Sequence, residues 1–225
     1  MPSFLEAPIT GAYQLVSFVA SALEPVGGPY AAALAIVVCT LAVRLLLLPL
    51  SLAAVRGEKS RAVLMPQIQE ISKKHAKNPE RAQQEIAKLQ ADSGTTLLAG
   101  CLPMFAQLPF FWVLYTLFTR AVVGGEPNDL LSGTLFGAPI GVHWPVFATT
   151  PAYVGLALLL AVVAFFSARR QLARLDASAT PMSRNLARLL PFGTLLTAAF
   201  IPLAAGLYLL TTTTWTVVER TILLR

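Results

Sequence analysis

Residues 39–52 read CTLAVRLLLLPLSL, a run apolar enough for a bilayer with an arginine, Arg44, in its middle. A charge at the centre of a spanning helix costs roughly 2.5–3.5 kcal/mol on insertion scales. A chain that keeps one there must offset the cost with water, a partner or a function. The surrounding apolar run covers residues 30–55, longer than the roughly 20 residues that cross a hydrocarbon core. It ends at Arg56, Lys59 and Arg61, the kind of basic cluster that stays cytoplasmic. Twelve residues separate Arg44 from Arg56, about 18 Å along a straight helix. On that reckoning Arg44 sits near mid-membrane, beyond easy snorkelling reach.

Composition agrees with a lipid surrounding. The chain has 225 residues, of which 56% are hydrophobic and 12% charged, and its mean hydropathy is +0.66. A soluble domain averages about 25% charged residues. The length leaves room for one membrane domain with one polar insertion. Net charge is +6, but its placement says more. Residues 1–29 hold no Lys or Arg, 56–92 hold eight, 169–188 hold five, and Arg220 and Arg225 lie at the end. Such a pattern orients spans in a membrane. No groove-reading module accompanies it, so no nucleic-acid partner is expected. Cys39 and Cys101 lie in apolar runs in opposite membrane halves and read as small buried hydrophobes, not a disulfide framework. His75 and His143 are too far apart in the chain to suggest a metal site.

The fold expected is all-α, with five membrane spans. The N-terminus lacks a basic segment before an apolar core, so no cleaved signal peptide is expected. Phe4, Leu5, Ile9, Tyr13, Val16 and Phe18 or Val19 recur at helical spacing before Pro25, Gly27, Gly28 and Pro29 break the chain. Residues 1–29 thus read as an amphipathic helix and linker, either on the outer surface or packed against the bundle. Residues 57–94 are the polar insertion. Asn78-Pro79-Glu80 is a helix start, with Asn as cap and Pro at the first position, and Gly94 is a stop. Ala82, Ile86 and Leu89 form one stripe, and Val63, Leu64, Ile68 and Ile71 another after Pro66, which is expected to open its helix. Two narrow stripes around a tight turn make an antiparallel cytoplasmic hairpin. Its basic turn, with Lys73, Lys74, Lys77 and Arg81, suits anionic lipids or an acidic partner, the alternative being a merely solvated surface.

The second span, 96–119, carries Pro103 and Pro109 and should be kinked. An outer loop follows over 120–150, then a third span over 152–168 and a basic loop to 182. Residues 189–218 carry no charge, and as one helix they would run about 45 Å, too long for a core of about 30 Å. Pro202 divides the stretch into spans 182–200 and 203–224. Both are tight for a bilayer, which suggests local thinning. The N-terminus is then outside and the C-terminus cytoplasmic. With four spans, Arg220 and Arg225 would lie outside, against the charge rule.

No acid lies deep in a span, and Glu219, near a cytoplasmic end, reads as a poor mate for Arg44. The polar residues within spans are Thr40, Gln107, Tyr208, Thr211 to Thr214 and Trp215. They can hydrate a guanidinium but not neutralise it. A water-filled recess with a permanent positive charge satisfies the chemistry, and it attracts anions. The other solution is structural: Arg44 bonds carbonyls freed by Pro103 or Pro109. Threonines commonly bond their own helix, so the threonine run reads first as packing.

Three stretches together carry a resemblance: MPQIQEISKKHAKNPERAQQEIAKLQADSG (65–94), GCLPMFAQLPFFWVLYTLF (100–118) and IPLAAGLYLL (201–210), placed after a span with a central arginine. The chain resembles the YidC/Oxa/Alb family of membrane protein insertases, in its short bacterial type, from about residue 30 onward. The resemblance implies five spans around a hydrophilic groove that opens to cytoplasm and lipid and is closed outside. It implies Arg44 as the groove arginine, with Thr40, Gln107, Tyr208 and Trp215 at groove positions and 56–92 as a mobile cytoplasmic hairpin. Clients would be nascent membrane proteins with short polar tails, handled alone or beside the Sec translocon in the bacterial plasma membrane. It implies neither an enzyme nor catalytic residues, cofactor or metal. The 225 residues contain neither the large outer domain and extra first span of some members nor a Cys near Met1 for lipid attachment, so the expectation is the shorter type. Only five residues follow Arg220; a long basic tail of the kind that docks ribosomes in some members is either absent or removed from this sequence, which leaves direct ribosome docking doubtful. The alternative is a small-anion carrier with Arg44 as its binding charge; against it, no paired half-repeats with broken helices are visible.

Overall fold

The computed structural model describes residues 6–93, 102–143, 150–175 and 180–223, with side chains except those of 58–62, 93, 102–108 and 110–111. Gly94 and Cys101 lie outside the described residues, as do Phe4, Leu5 and Arg225. The chain forms two compact units. One comprises Met1–Leu45 and Phe111–Thr221, the other Leu46–Phe110 and Ile222–Arg225.

The larger unit is built almost wholly of helices. Helix α1 (Glu6–Gly27) leads through a 3-10 turn, Gly28–Tyr30, into α2 (Ala31–Leu46). The expected break at 25–29 shrinks to that turn. Pro25 is accommodated inside α1, and Gly28 takes the positive φ of 48°. Ile9 and Val16 of α1 are buried, Tyr13 and Val19 pack beside them, and Phe18 is exposed. The helical spacing was therefore sound, with Val19 rather than Phe18 on the inner face.

Helix α5 (Leu102–Thr119) runs through Pro109 and ends in a loop that carries two small hairpins not foreseen in an all-α reading. Strands β1 (Val122–Val123) and β2 (Glu126–Pro127) pair across Gly124-Gly125, with φ of 63° and 89°. Strands β3 (Thr134–Leu135) and β4 (Ala138–Pro139) pair across Phe136-Gly137, with φ of 48° and 80°. Two left-handed residues in a two-residue loop match the twist of paired strands. Gly-Gly adopts this freely; Phe136 does not, and its ring packs on Tyr30 with centroids 5.6 Å apart.

This loop gathers helix ends. Asn128 donates to the carbonyls of Leu117 (2.6 Å) and Arg120 (2.9 Å), closing the C-terminus of α5. Tyr13 donates to the Pro127 carbonyl, and Tyr153 to that of Val142. Helix α6 (Pro151–Ala173) follows. It buries Ala152, Tyr153, Leu156, Leu160, Ala164 and Ala168, spaced at three to four residues, and exposes Leu158, Leu159, Val162, Phe165 and Phe166 on its other side. A helix apolar all round but buried on one face belongs in lipid. Two stretches are long and apolar enough to cross a membrane among the described residues, Glu6–Leu46 and Pro151–Ala173.

The stretch expected as the fourth span is α7 (Pro181–Leu189), a 3-10 turn (Leu190–Phe192) and α8 (Gly193–Ala198). Pro191, which lacks an N–H, lies in that turn. The chain turns at 199–202, and α9 (Leu203–Leu223) begins right after Pro202, where the sequence placed its start. The core joins Phe118, Ile140, Leu160 and Leu203, all essentially inaccessible, with Ala35, Ala138 and Ala204.

In the smaller unit α3 (Leu48–Lys74) and α4 (Pro79–Ser93) are joined by a tight turn and pack together. The Asn78 side chain accepts from the Arg81 N–H at 3.2 Å, capping α4 as its sequence indicates. Ala82 is buried, and Ile68, Ile71, Ile86 and Leu89 are half-buried, whereas Val63 is exposed. His75 Nε2 lies 3.1 Å from Glu85 Oε1 but off hydrogen-bonding geometry, so the contact needs a protonated imidazole to be attractive. Pro66 does not open a helix; it lies within α3. It is exposed there, so solvent can take the carbonyl it leaves free.

Candidate functional site around Arg44

Arg44 lies in the last turn of α2, where a cation complements the negative end of the helix dipole. The helix stops two residues later. Leu47 leaves helical geometry (φ −85°, ψ 1°), and α3 begins with Pro49 in its first turn. The first apolar run is therefore two helices, not one, and the 18 Å reckoned along a straight helix to Arg56 does not apply. The physical cause is Pro49, which cannot donate to the carbonyl four residues back.

Opposite Arg44 stands α9. Its Tyr208, Thr212, Trp215 and Glu219 follow the i, i+4, i+7, i+11 pattern and share one face. Arg44 Nε donates to Thr212 Oγ1 at 3.0 Å and Nη2 donates to the same oxygen at 2.7 Å. A guanidinium has five N–H donors, so three remain without a partner among the described residues. Thr212 is set apart from its neighbours. Thr211, Thr213 and Thr216 donate to the carbonyls of Leu207, Leu209 and Thr212 at 2.8, 2.7 and 2.9 Å. Those three behave as helix-bonded threonines do; the Thr212 hydroxyl serves Arg44 instead.

Tyr208 is 4% exposed, and both it and Glu219 lie within electrostatic reach of Arg44. Glu219 is buried at 9% exposure, and its Oε1 has no hydrogen-bond partner among the described residues. Trp215 is half-buried with its indole Nε1 also unpartnered. Among the described residues no acid closes an ion pair with Arg44.

Of the residues expected here, Tyr208 and Trp215 share the α9 face whose Thr212 binds Arg44. Thr40 is on the Arg44 side of α2, one turn away, but it is buried and its hydroxyl donates to the Ile36 carbonyl at 2.6 Å. Gln107 belongs to α5, and its side chain lies outside the described residues. Lys73, Lys74, Lys77 and Arg81 are all exposed around the α3–α4 turn. The sequence reading missed Thr212 as an individual and set Glu219 aside. The i, i+4, i+7, i+11 count along α9 would have picked out both. It also missed Arg170, at the end of α6. Arg170 donates to the carbonyls of Val217 (2.6 Å) and Arg220 (2.7 Å) and to Thr221 Oγ1, fastening the end of α9.

Residues 23–225 match the family described as 60Kd inner membrane protein. The membrane protein insertase YidC of Clostridium perfringens is 32% identical over 71% of this chain and 68% of its own length. That of Mycobacterium tuberculosis is 29% identical over 91% of this chain and 66% of its own. A shorter match, 41% identical over 36% of the chain, is to the YidC of Oceanobacillus iheyensis. The chain spans about two thirds of the length of the first two relatives. An apolar helical chain with Arg44 facing a polar stripe of its last helix thus belongs to the 60Kd inner membrane protein family, the YidC/Oxa group.

Proposed function

We propose that this chain is a membrane protein insertase that passes the polar tails of nascent membrane proteins through a hydrophilic groove centred on Arg44. The observation that carries the reading is the Arg44 guanidinium, which among the described residues engages one hydroxyl, Thr212 Oγ1, with two of its five donors. The names of its relatives support the same activity.

Five spans, 30–55, 96–119, 152–168, 182–200 and 203–224, would form the core, with the N-terminus outside and the C-terminus cytoplasmic. Charge placement supports this orientation. The loop 120–143, with Glu126 and Asp129, gathers the starts of α6 and α9, whereas Arg169, Arg170, Arg174 and Arg220 lie at their other ends. Lys and Arg mark the cytoplasmic side. Lys73, Lys74, Lys77 and Arg81 would meet anionic lipid headgroups or receive clients. Thr40, Gln107, Tyr208 and Trp215 would line the groove, which works alone or beside the Sec translocon.

The client's apolar segment enters from the lipid side while its polar flank enters the wet recess. Arg44 draws a carboxylate inward, and at an effective dielectric of 20 the attraction at 4 Å is about 4 kcal/mol at most. Burial of the new helix in lipid, at about 25 cal/mol per Å², then drives release. No bond is made or broken, so no catalytic group is required.

The test is reconstitution in liposomes with one small client, scored by protease protection. Arg44→Ala should lower insertion of an acid-tailed client at least tenfold, while Arg44→Lys keeps part of it. Wild-type insertion by Arg44→Ala for every client would refute the reading.

A further inference from the structure

We infer that Glu219 is the built-in counter-charge of Arg44, against which an incoming client carboxylate must compete, and that it thereby sets the selectivity for acidic tails. The inference rests on the groove reading above and adds its regulation.

Glu219 is 9% exposed, yet among the described residues its Oε1 has no hydrogen-bond partner. A carboxylate oxygen buried without a donor is costly, and a nearby positive charge offsets that cost. It follows Thr212 by seven residues, two turns along the same face of α9. Thr212 holds Arg44, and Glu219 lies within reach of the Arg44 field. Two other described cations, Arg170 and Arg220, lie at this end of α9. Arg170 is engaged with the Val217 and Arg220 carbonyls and with Thr221 Oγ1; Val217 and Thr221 lie on the opposite side of the helix from Glu219. Arg220 follows Glu219 directly and is turned about 100° from it. Tyr208, the other titratable group on the face, is buried one turn beyond Thr212.

The pair is not closed. Arg44 spends its donors on Thr212 rather than on the carboxylate. Glu219 therefore tempers the arginine without capping it, and the remaining N–H donors stay available. A client carboxylate must bind in the field of a like charge, so it binds more weakly and leaves more readily. A neutral tail meets no such competition.

The experiment compares wild type, Glu219→Gln and Glu219→Asp in liposomes, with two forms of one client: an acidic tail, and the same tail with Asp replaced by Asn. Glu219→Gln should raise insertion of the acidic form severalfold relative to the neutral form at limiting client concentration. Glu219→Asp, which keeps the charge, should preserve the wild-type ratio between the two forms. An unchanged ratio in Glu219→Gln, or a ratio in Glu219→Asp that follows Glu219→Gln, overturns the inference. Arg44→Ala in the same assay separates the two readings. Loss of the acidic client there, with no ratio change in Glu219→Gln, removes the counter-charge and leaves the groove. Thermal unfolding of each variant accompanies the assay. Because the ratio is taken within one variant, a loss of folded protein cancels from it.

Discussion

The two halves of α9 are built on different principles. Over residues 203–208 every side chain is buried except Leu207, which is half-buried. The first free N–H groups of the helix, at Leu203 and Ala204, donate to the carbonyls of Val142 (3.2 Å) and Ile140 (2.9 Å). Gly206 lets Leu156 of α6 come so close that an added Cβ would stand 2.5 Å from Leu156 Cδ2. Over residues 211–221 burial loosens, hydroxyls replace aliphatic groups, and Arg44 and Arg170 reach in from other helices. One helix thus has a dry, closed half and a polar half. The dry part is six residues, about 9 Å, against a hydrocarbon core of about 30 Å. If the polar half is hydrated, as an insertase requires, a client tail crosses a barrier a fraction of the bilayer's thickness.

The largest effect on stability should come from breaking the closed half. Gly206→Val forces a Cβ and two methyl groups into the space of Leu156 and should cost about 1–3 kcal/mol, the range for overpacked cores. Gly155, in α6, is the control, because an added Cβ there meets nothing within 4 Å. Gly155→Ala should be neutral or stabilising by up to about 1 kcal/mol, since alanine is the better helix former. Thermal unfolding in detergent reads both. A Gly206→Val variant as stable as wild type would show that the close approach of α6 and α9 is not a packing constraint.

The same contrast explains which features were legible beforehand. Proline at 202 and Asn78-Pro79 mark helix starts through local chemistry, a missing donor and a side-chain cap, so both fell where the sequence put them. Pro49 and Pro66 are chemically alike, yet the first adjoins a helix break and the second rides inside a helix. What distinguishes them is the geometry taken up by a neighbour, Leu47, which no local pattern announces. The hairpins between 122 and 139 were hidden for a related reason. Gly124-Gly125 is a recognisable turn, but Phe136 in a left-handed conformation is tolerated because Tyr30, distant in sequence, packs on its ring. At the site, Arg44 announced itself by the cost of its charge. Thr212 and Glu219 did not, because threonines in a row look equivalent and an acid near a helix end looks solvated. Only the facing helix separates Thr212 from Thr211 and Thr213.

At the far end of the polar half, Arg170 should matter next. Arg170→Met keeps much of the aliphatic stem and removes the charged donors to Val217, Arg220 and Thr221. Hydrogen bonds from charged groups contribute about 1.5–3 kcal/mol each in favourable settings. This side chain is only half-buried, so about 1–2 kcal/mol in total is expected after screening by solvent. The loss should appear as faster amide exchange over 217–223 while 203–208 stays protected. Equal loosening of both halves would mean that α9 responds as a single cooperative piece and that the two halves are not separate in energy.

The smallest change tests whether the polar half positions Arg44 or merely surrounds it. Thr212→Val conserves shape and deletes the one hydroxyl that Arg44 holds by two donors. Because a hydrated guanidinium can replace that bond with water, the cost to stability should be about 1 kcal/mol or less. The functional cost should be larger in proportion: insertion of an acid-tailed client falls a few-fold, Thr212→Ser restores it, and Thr213→Val leaves it unchanged. Thr213→Val removes only a bond to its own helix, so it controls for the general loss of a hydroxyl from α9. If Thr212→Val and Thr213→Val behave alike, Arg44 needs no fixed partner, and the polarity of this half acts as an average medium rather than through one oriented contact.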